Sequence, residues 1–260
     1  MNRYRSLSVV IAVVAALASS ASAQFFSEDF SGGADGGLVS GVTSQTGQTW
    51  GAFTLFGSYS GLSVDDQYGL DGNGSGNLAA GSTAGTFFGN SVPLGQTFTS
   101  GSLTLDFEIY TLFSGTSGTM SVLWLHDSVN GGAISVNRQN NGPVGQDDLT
   151  IAAPGPGEQT FSTGITDSNA TTMHYTFEVN LDTLNVDLSY FDVSDPNNGA
   201  SSGTINIGTI DGPFQPDTIQ IWGRSSTSNF QGWDNIVLTP EPASVVLLSA
   251  GALLALRRRR

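Results

Sequence analysis

The sequence predicts an all-β fold, specifically a two-sheet antiparallel jelly-roll sandwich over about 217 residues between its two ends. Many short segments alternate apolar and polar residues, which is the pattern of half-buried strands. The chain also contains 34 glycines and repeated Pro-Gly and Asn-Gly pairs, which mark turns and weaken helices. No amphipathic helix pattern stands out between residues 24 and 239. Strands with one apolar face must bury it against a second sheet.

The clearest strand pattern lies in the second half of the chain. Apolar and polar residues alternate over residues 171–181 and again over 184–190, with Asp182 and Thr183 between the two runs. This arrangement predicts a hairpin with a tight loop.

The other predicted strands are shorter, and turn residues separate them. The Gly-rich stretches 31–44 and 69–85 are interpreted as loops within one domain, because strand-like sequence resumes after each. The domain is expected to span residues 24–239. In chain order, the remaining strands are predicted at 50–56, 103–110, 119–125, 133–137, 149–152, 159–163, 218–222 and 233–238.

The N-terminal segment 1–23 has the three regions of a secretory signal peptide. Two arginines precede an apolar run over 7–17, and small residues end the segment at Ala21 and Ala23. We therefore expect export through the Sec translocon and cleavage by signal peptidase that leaves Gln24 first.

The C-terminal segment 240–260 has three parts in a fixed order. An apolar stretch at 243–256 follows a Pro-Glu-Pro triplet and precedes four arginines, a stop-transfer arrangement. Its 14 residues span about 21 Å as a helix, short of a ~30 Å hydrocarbon core, so the predicted transmembrane helix is a marginal anchor. The flanking residues are Pro240, Glu241, Pro242, Arg257, Arg258, Arg259 and Arg260.

This ordered tail resembles the PEP-CTERM sorting signal of exported bacterial proteins. The resemblance implies recognition by an exosortase-type membrane protease that removes the tail. It also implies transient anchoring in the inner membrane, followed by a final location at the cell surface or in the extracellular matrix.

The charge of the body excludes one class of partner. Of the 22 acidic residues, 21 lie within residues 24–240, whereas only two basic residues, Arg138 and Arg224, lie there, for a net charge of −19. Nucleic acid is excluded, because binding a phosphate backbone requires many cations. The chain has no cysteine, so it forms no disulfide and performs no thiol chemistry.

The two ends of the body carry short motifs, Phe26-Ser27-Glu28-Asp29-Phe30 and an Asp-Asn-Ile run within 232–238. These motifs resemble concanavalin A-like and laminin-G-like jelly rolls and several carbohydrate-binding modules. The resemblance implies that the first and last strands pair. It also implies a structural Ca²⁺ held by Glu28, Asp29 and Asp234, whose oxygen ligands suit a hard cation. The alternative is that these acids are surface charge and turn acceptors.

Four aromatic residues are candidates for stacking on sugar rings. Trp50, Trp222 and Trp233 border polar or Gly-rich segments, which makes them candidates for the surface, and Tyr59 is a further candidate. Trp124 alternates within an apolar strand and is expected in the core. The alternative for each candidate is ordinary core packing.

No motif predicts catalysis. Asp106 and Glu108 share one strand face, but alternation on a solvated sheet produces this spacing by default. His126 and His174 have neither a nucleophile motif nor a second ligand at metal-binding spacing. We therefore expect no enzyme and no catalytic residue.

Together these observations predict an exported, non-enzymatic β-sandwich that binds glycan or packs into exopolysaccharide. One alternative is a divergent glycoside hydrolase or lyase on a concanavalin A-like fold. Another is an acidic structural or adhesive coat protein without a small ligand.

Overall fold

The computed structural model of the chain describes residues 24–52, 61–65, 78–81, 87–111, 120–140, 146–153, 159–168, 172–207, 213–224 and 231–241. These residues form strands and turns without a helix, and every strand pair among them is antiparallel. The predicted all-β jelly-roll sandwich is confirmed.

The strands divide into two sheets. The first sheet has nine strands in this part of the chain, in the order β13-β12-β11-β6-β16-β4-β3, with β1 beside β16 and β14 beside β12. These strands are β1 (Phe26–Glu28), β3 (Ser63–Asp65), β4 (Leu78–Gly81), β6 (Ser102–Thr111), β11 (Thr172–Asn180), β12 (Asn185–Asp192), β13 (Asp195–Ser201), β14 (Ile205–Asn206) and β16 (Gln231–Pro240).

The second sheet has seven described strands in the order β10-β9-β8-β7-β15-β5-β2. They are β2 (Gly51–Ala52), β5 (Phe87–Pro93), β7 (Met120–Asp127), β8 (Gly132–Asn140), β9 (Gln146–Ala153), β10 (Gln159–Ser168) and β15 (Thr218–Arg224).

The main core lies between the two sheets and is built from alternate residues. In β6 the side chains of Leu103, Leu105, Phe107 and Ile109 are buried in the core. The ring of Phe107 stacks on that of Tyr175 in β11, with 5.2 Å between ring centroids. Each such side chain contributes roughly 1.5–3 kcal/mol when fully buried.

The predicted hairpin at Asp182 and Thr183 is confirmed. Strands β11 and β12 pair from Met173 with Asp192 to Asn180 with Asn185. The Asn180 side-chain oxygen accepts hydrogen bonds from the backbone N–H groups of Asp182 and Thr183, at 3.1 and 2.8 Å. Asparagine thus closes the loop by mimicking a backbone turn.

The first and last strands are neighbours, as the jelly-roll resemblance implied. β1 runs antiparallel to β16, with Ser27 opposite Val237. This pairing brings the two ends of the domain together.

The predicted strands outside the hairpin all coincide with observed ones, although residues 53–56 lie outside the described part. The prediction of a loop at 69–85 was wrong in part, because β4 lies within it. Its sequence, Leu-Ala-Ala-Gly, shows no alternation, so pairing with β3 and β16 makes it a strand. Strands β3, β5, β13 and β14 were also missed, since short or polar strands carry little periodic signal.

The C-terminal motif begins inside the sandwich rather than after it. Pro240 is the last residue of β16 and lies opposite Leu103. The Glu241 N–H then donates a 2.8 Å hydrogen bond to the Ser102 carbonyl. The last strand of the sandwich therefore includes the first residue of the Pro-Glu-Pro triplet.

The predicted signal peptide and the tail from Pro242 onward lie outside the described residues. Within the described part of the chain, no helix has the length and apolar character needed to cross a membrane.

Candidate functional site

The outer face of the second sheet carries a small apolar cluster separate from the main core. Inward side chains of β7 and β15 join the core, whereas the alternate side chains point away from it. Val122 and Trp222 are buried on that outer side, and Trp124 packs against them. We call the outward side chains of this region the aromatic face: Phe87, Val122, Trp124, His126, Gln220 and Trp222.

Ring contacts define the geometry of the aromatic face. Trp124 and Trp222 meet edge to face, with centroids 5.3 Å apart and planes at 85°. Phe87 lies 6.0 Å from Trp222, and the Arg224 guanidinium carbon lies 5.4 Å from the centre of the Phe87 ring. The face thus has an apolar wall and a single described cation at its edge.

Gly89 makes room for the Trp222 side chain on the neighbouring strand. It lies directly opposite Trp222 in the β5–β15 pair. A Cβ atom at position 89 would lie 2.7 Å from the Trp222 Cβ and 2.8 Å from the Ile221 carbonyl oxygen. Only glycine therefore lets the two strands and the indole approach this closely.

Two buried polar atoms on the aromatic face have no hydrogen-bond partner among the described residues. They are Gln220 Oε1, an acceptor, and Trp222 Nε1, a donor. Gln220 is 6% exposed and Trp222 is 8% exposed. Leaving such a group unpaired costs about 1–3 kcal/mol, so a ligand that donates to one and accepts from the other would recover that free energy.

His126 supplies a neutral polar group to the same face. Burial lowers its pKa, although the nearby Asp217 and Asp127 carboxylates act in the opposite direction. Gln220 Nε2 lies 3.4 Å from His126 Nδ1, and the His126 ring stacks against Trp124 with centroids 6.5 Å apart. Histidine is therefore uncharged here at neutral pH.

The structure decides between the two alternatives for each tryptophan. Trp50 and Trp233 are buried in the main core, the alternative to a sugar-stacking position, whereas Trp222 lies on the aromatic face. Trp124 was expected in the core but lies on the aromatic face, and Tyr59 lies outside the described residues. The run Val-Leu-Trp-Leu is apolar at successive positions, so alternation could not tell which side points inward.

Glu28 has a structural role that explains the burial of Trp50. Glu28 Oε2 accepts a 2.8 Å hydrogen bond from Trp50 Nε1. Oε1 accepts one of 2.7 Å from the N–H of Phe30, which has a φ of 53°. Glu28 is 1% exposed, and this burial raises its pKa. The carboxylate thus satisfies two buried donors.

Asp234 lies in the same region as the other two predicted calcium ligands. Burial raises its pKa to about 8, and the charges of Glu108, Asp29 and Glu28 contribute to that rise. Asp29 accepts hydrogen bonds from the Ser31 N–H and the Gln45 side chain. Among the described residues, no group of three acidic or histidine side chains is arranged to hold a metal ion. Calcium at Glu28, Asp29 and Asp234 stays a prediction.

The outer face of the first sheet brings together the carboxylates and the histidine that the sequence analysis examined for catalysis. His174 Nε2 lies 3.6 Å from Asp106 Oδ1, and His174 Nδ1 lies 3.5 Å from Glu108 Oε1. Thr176 donates to Asp106, and Asn235 donates to Glu108 from a β-bulge in β16. Hydrogen bonds to Asp106 and Glu108 raise the pKa of His174 to about 9. This arrangement is an ion pair between one imidazolium and two carboxylates.

His174 gives the stability of the protein a dependence on pH. Because its pKa is raised, its contribution is fully present below about pH 6.5 and is lost as pH rises through about 9. Asp106 is a third exposed, so solvent screens the ion pair in part. We therefore expect the free energy of unfolding to fall by only about 1–2 kcal/mol across that pH window. Urea denaturation from pH 6 to pH 10 measures it.

His174→Gln provides the comparison, since glutamine keeps a polar side chain but does not titrate. The difference in unfolding free energy between the two proteins should shrink as the pH rises. A difference that stays constant from pH 6 to pH 10 would contradict this account.

No protein-family model and no curated protein matches this sequence. The fold is similar to that of the CBM2 module of Lactobacillus casei BL23 phage J-1 evolved Dit, with a TM-score of 0.50 and 12% identity. That alignment covers 83% of this chain and 94% of the module. The Botulinum neurotoxin serotype D binding domain is also similar, with a TM-score of 0.51, 11% identity and coverage of 91% of this chain and 53% of that chain. These likenesses establish the jelly-roll fold.

Proposed function

We propose that this protein is an exported, non-enzymatic glycan-binding jelly roll whose ligand site is the aromatic face of the second sheet. The observation that carries the proposal is the unpaired buried donor and acceptor of Trp222 and Gln220 beside an apolar wall. Sugars combine apolar C–H faces with hydroxyl groups that both donate and accept, so they complement such a surface.

Two further observations support this proposal. One structure of similar fold is a CBM2 module, a name used for carbohydrate-binding modules. The N-terminal segment and the tail of the sequence predict export and delivery to the cell surface or extracellular matrix, where polysaccharide is abundant. The acidic body suits a hydrated matrix.

A glycan array probed with the purified protein tests the proposal. In Trp222→Phe and Gln220→Met, loss of one hydrogen bond should weaken binding by about tenfold. Each variant should lose up to about 1 kcal/mol of unfolding free energy, because Trp222→Phe removes part of a packed ring and Gln220→Met removes the amide nitrogen that lies 3.4 Å from His126 Nδ1. Urea denaturation checks that both variants remain folded, so that a weaker affinity reports the lost hydrogen bond to the ligand.

Trp233→Phe is the matched control, since Trp233 Nε1 also lacks a hydrogen-bond partner among the described residues but lies in the main core. Its glycan affinity should equal that of the wild type. The array is run in calcium and in chelator, because we also propose Glu28, Asp29 and Asp234 as calcium ligands. If no glycan binds the wild type under either condition, the acidic coat protein becomes the better account.

Glycan cleavage on the same face is the second candidate. It is favoured by the neutral His126, which lies beside Gln220 and could act as a base. Incubation with the bound glycans, followed by detection of new reducing ends or unsaturated products, separates a hydrolase or lyase from a binding protein.

The sorting part of the proposal is tested by intact-mass measurement of protein from the native cell envelope. We expect a mature form that begins at Gln24 and lacks Arg257 to Arg260, because signal peptidase and an exosortase-type protease remove the ends. An abundant surface form that retains the four arginines would show that the tail is a permanent anchor.

A further inference from the structure

We infer that the aromatic face selects uncharged glycans over glycans that carry carboxylates. This inference rests on the proposed function and adds the chemical class of the ligand. Three features support it: the polar groups at the centre of the face are neutral, the two arginines of the body lie away from that centre, and burial of an unpaired carboxylate is unfavourable.

Apart from Arg224 at the edge, the described polar side chains on this side of the second sheet that surround Gln220 and Trp222 are neutral. Besides Gln220 and Trp222, they include Ser135 and Asn137 of β8, which are buried and joined by a 3.2 Å hydrogen bond. His126 completes the set as a neutral imidazole. These groups pair with hydroxyl or acetamido groups, which are also neutral.

The unpaired acceptor of Gln220 discriminates directly against a carboxylate. Its Oε1 is an acceptor and needs a donor. An ionised carboxylate has only acceptor atoms, so a carboxylate placed there would repel Oε1 instead of forming a hydrogen bond with it. Gln220 and Trp222 lie two residues apart on β15, a spacing of about 6.7 Å. A pair of sugar hydroxyls, or one acetamido group, supplies one donor and one acceptor, which are the two groups that Gln220 Oε1 and Trp222 Nε1 require.

Neither arginine of the body can neutralise a carboxylate at the centre of the face. Arg138 alternates with Ile134 and Val136 in β8, so it lies on the core side of the sheet, and it is fully buried. Arg224 is exposed at the edge, over Phe87. A carboxylate between Gln220 and Trp222 would therefore be buried without a charged partner, which strongly disfavours its binding there.

The net charge of the body adds a longer-range repulsion. A body with 21 acidic and two basic residues repels polyanions, most strongly at low ionic strength. The long-range field and the short-range chemistry of the face thus favour the same ligand class.

The test uses matched probes: the neutral glycan that binds best on the array, and the same glycan oxidised at C6 to a uronate. Calorimetric titration of the full protein at low and high salt should show at least about a hundredfold weaker binding of the oxidised glycan. High salt should reduce this difference in affinity without removing it. Screening weakens the long-range repulsion, but it does not supply a charged partner for a carboxylate buried at the face. Arg224→Gln should leave the affinity for the neutral glycan within about twofold.

Two results would overturn the inference. Equal or tighter binding of the oxidised glycan, lost in Arg224→Gln, would show that the face accepts carboxylates through its edge arginine, while the glycan-binding proposal would stand. Absence of binding by any glycan, charged or neutral, would remove both proposals together.

Discussion

Glu28→Ala is expected to lower the free energy of unfolding by about 3 kcal/mol. The change removes the acceptor of two buried hydrogen bonds, from Trp50 Nε1 and from the Phe30 N–H. Each hydrogen bond to a charged group contributes about 1.5–3 kcal/mol. The variant no longer bears the cost of burying a carboxylate, which offsets part of the loss of the two hydrogen bonds. For a domain of this size the melting temperature should fall by roughly 6–12 °C.

Asp29→Ala is the matched control for Glu28→Ala, because the two acids are adjacent but Asp29 bonds exposed groups. Its effect should stay within about 1 kcal/mol. Equal effects of the two substitutions would show that Glu28 acts as one member of a charged cluster and not as the specific partner of Trp50. Thermal and urea denaturation of both variants decide between these accounts.

Gly89→Ala should destabilise the protein by about 2–3 kcal/mol and disturb the aromatic face. The new Cβ would meet the Trp222 Cβ and the Ile221 carbonyl at 2.7 and 2.8 Å, so strand β5 or the indole must shift. Denaturation measures the loss of stability. A changed near-ultraviolet circular dichroism signal should accompany it, since the Trp124 and Trp222 pair lies at the same place.

Gly51→Ala is a suitable control in the same sheet. Among the described residues, a Cβ atom at position 51 meets only the Ser91 carbonyl oxygen, at an ordinary 3.7 Å. This variant should remain within about 0.5 kcal/mol of the wild type. If Gly89→Ala is equally mild and leaves the dichroism unchanged, strand β5 has more freedom than its register with β15 implies.

The strand pattern was predictable wherever one face of a strand meets solvent. β6 and β11 alternate cleanly, because their inward residues enter the core and their outward residues, such as Glu108 and His174, remain polar. β4 and β13 could not be predicted in this way. β4 forms a strand because it pairs with neighbouring strands, and its sequence does not alternate. The seven residues of β13 are all exposed, so this strand has no apolar face to contrast with a polar one.

The candidate site was predictable only in its residue types. The sequence indicated that tryptophans and neutral polar groups were available, and Trp222 was among the candidates. It could not show that Trp50 and Trp233 are buried while Trp124 faces outward, because burial depends on which side of each strand meets the opposite sheet. Nor could it show that Glu28 hydrogen-bonds Trp50, 22 residues further along the chain.

Composition and local pattern by themselves determined the all-β class, the hairpin at Asp182 and the acidic charge, because these depend on neighbouring residues or on counts. Tertiary structure alone decided which aromatic residues share a face and that Gly89 leaves room for Trp222. It also decided that Asp106, Glu108 and His174 form an ion pair. These features depend on strand register across long separations, and a shift of one residue would turn every side chain to the other face.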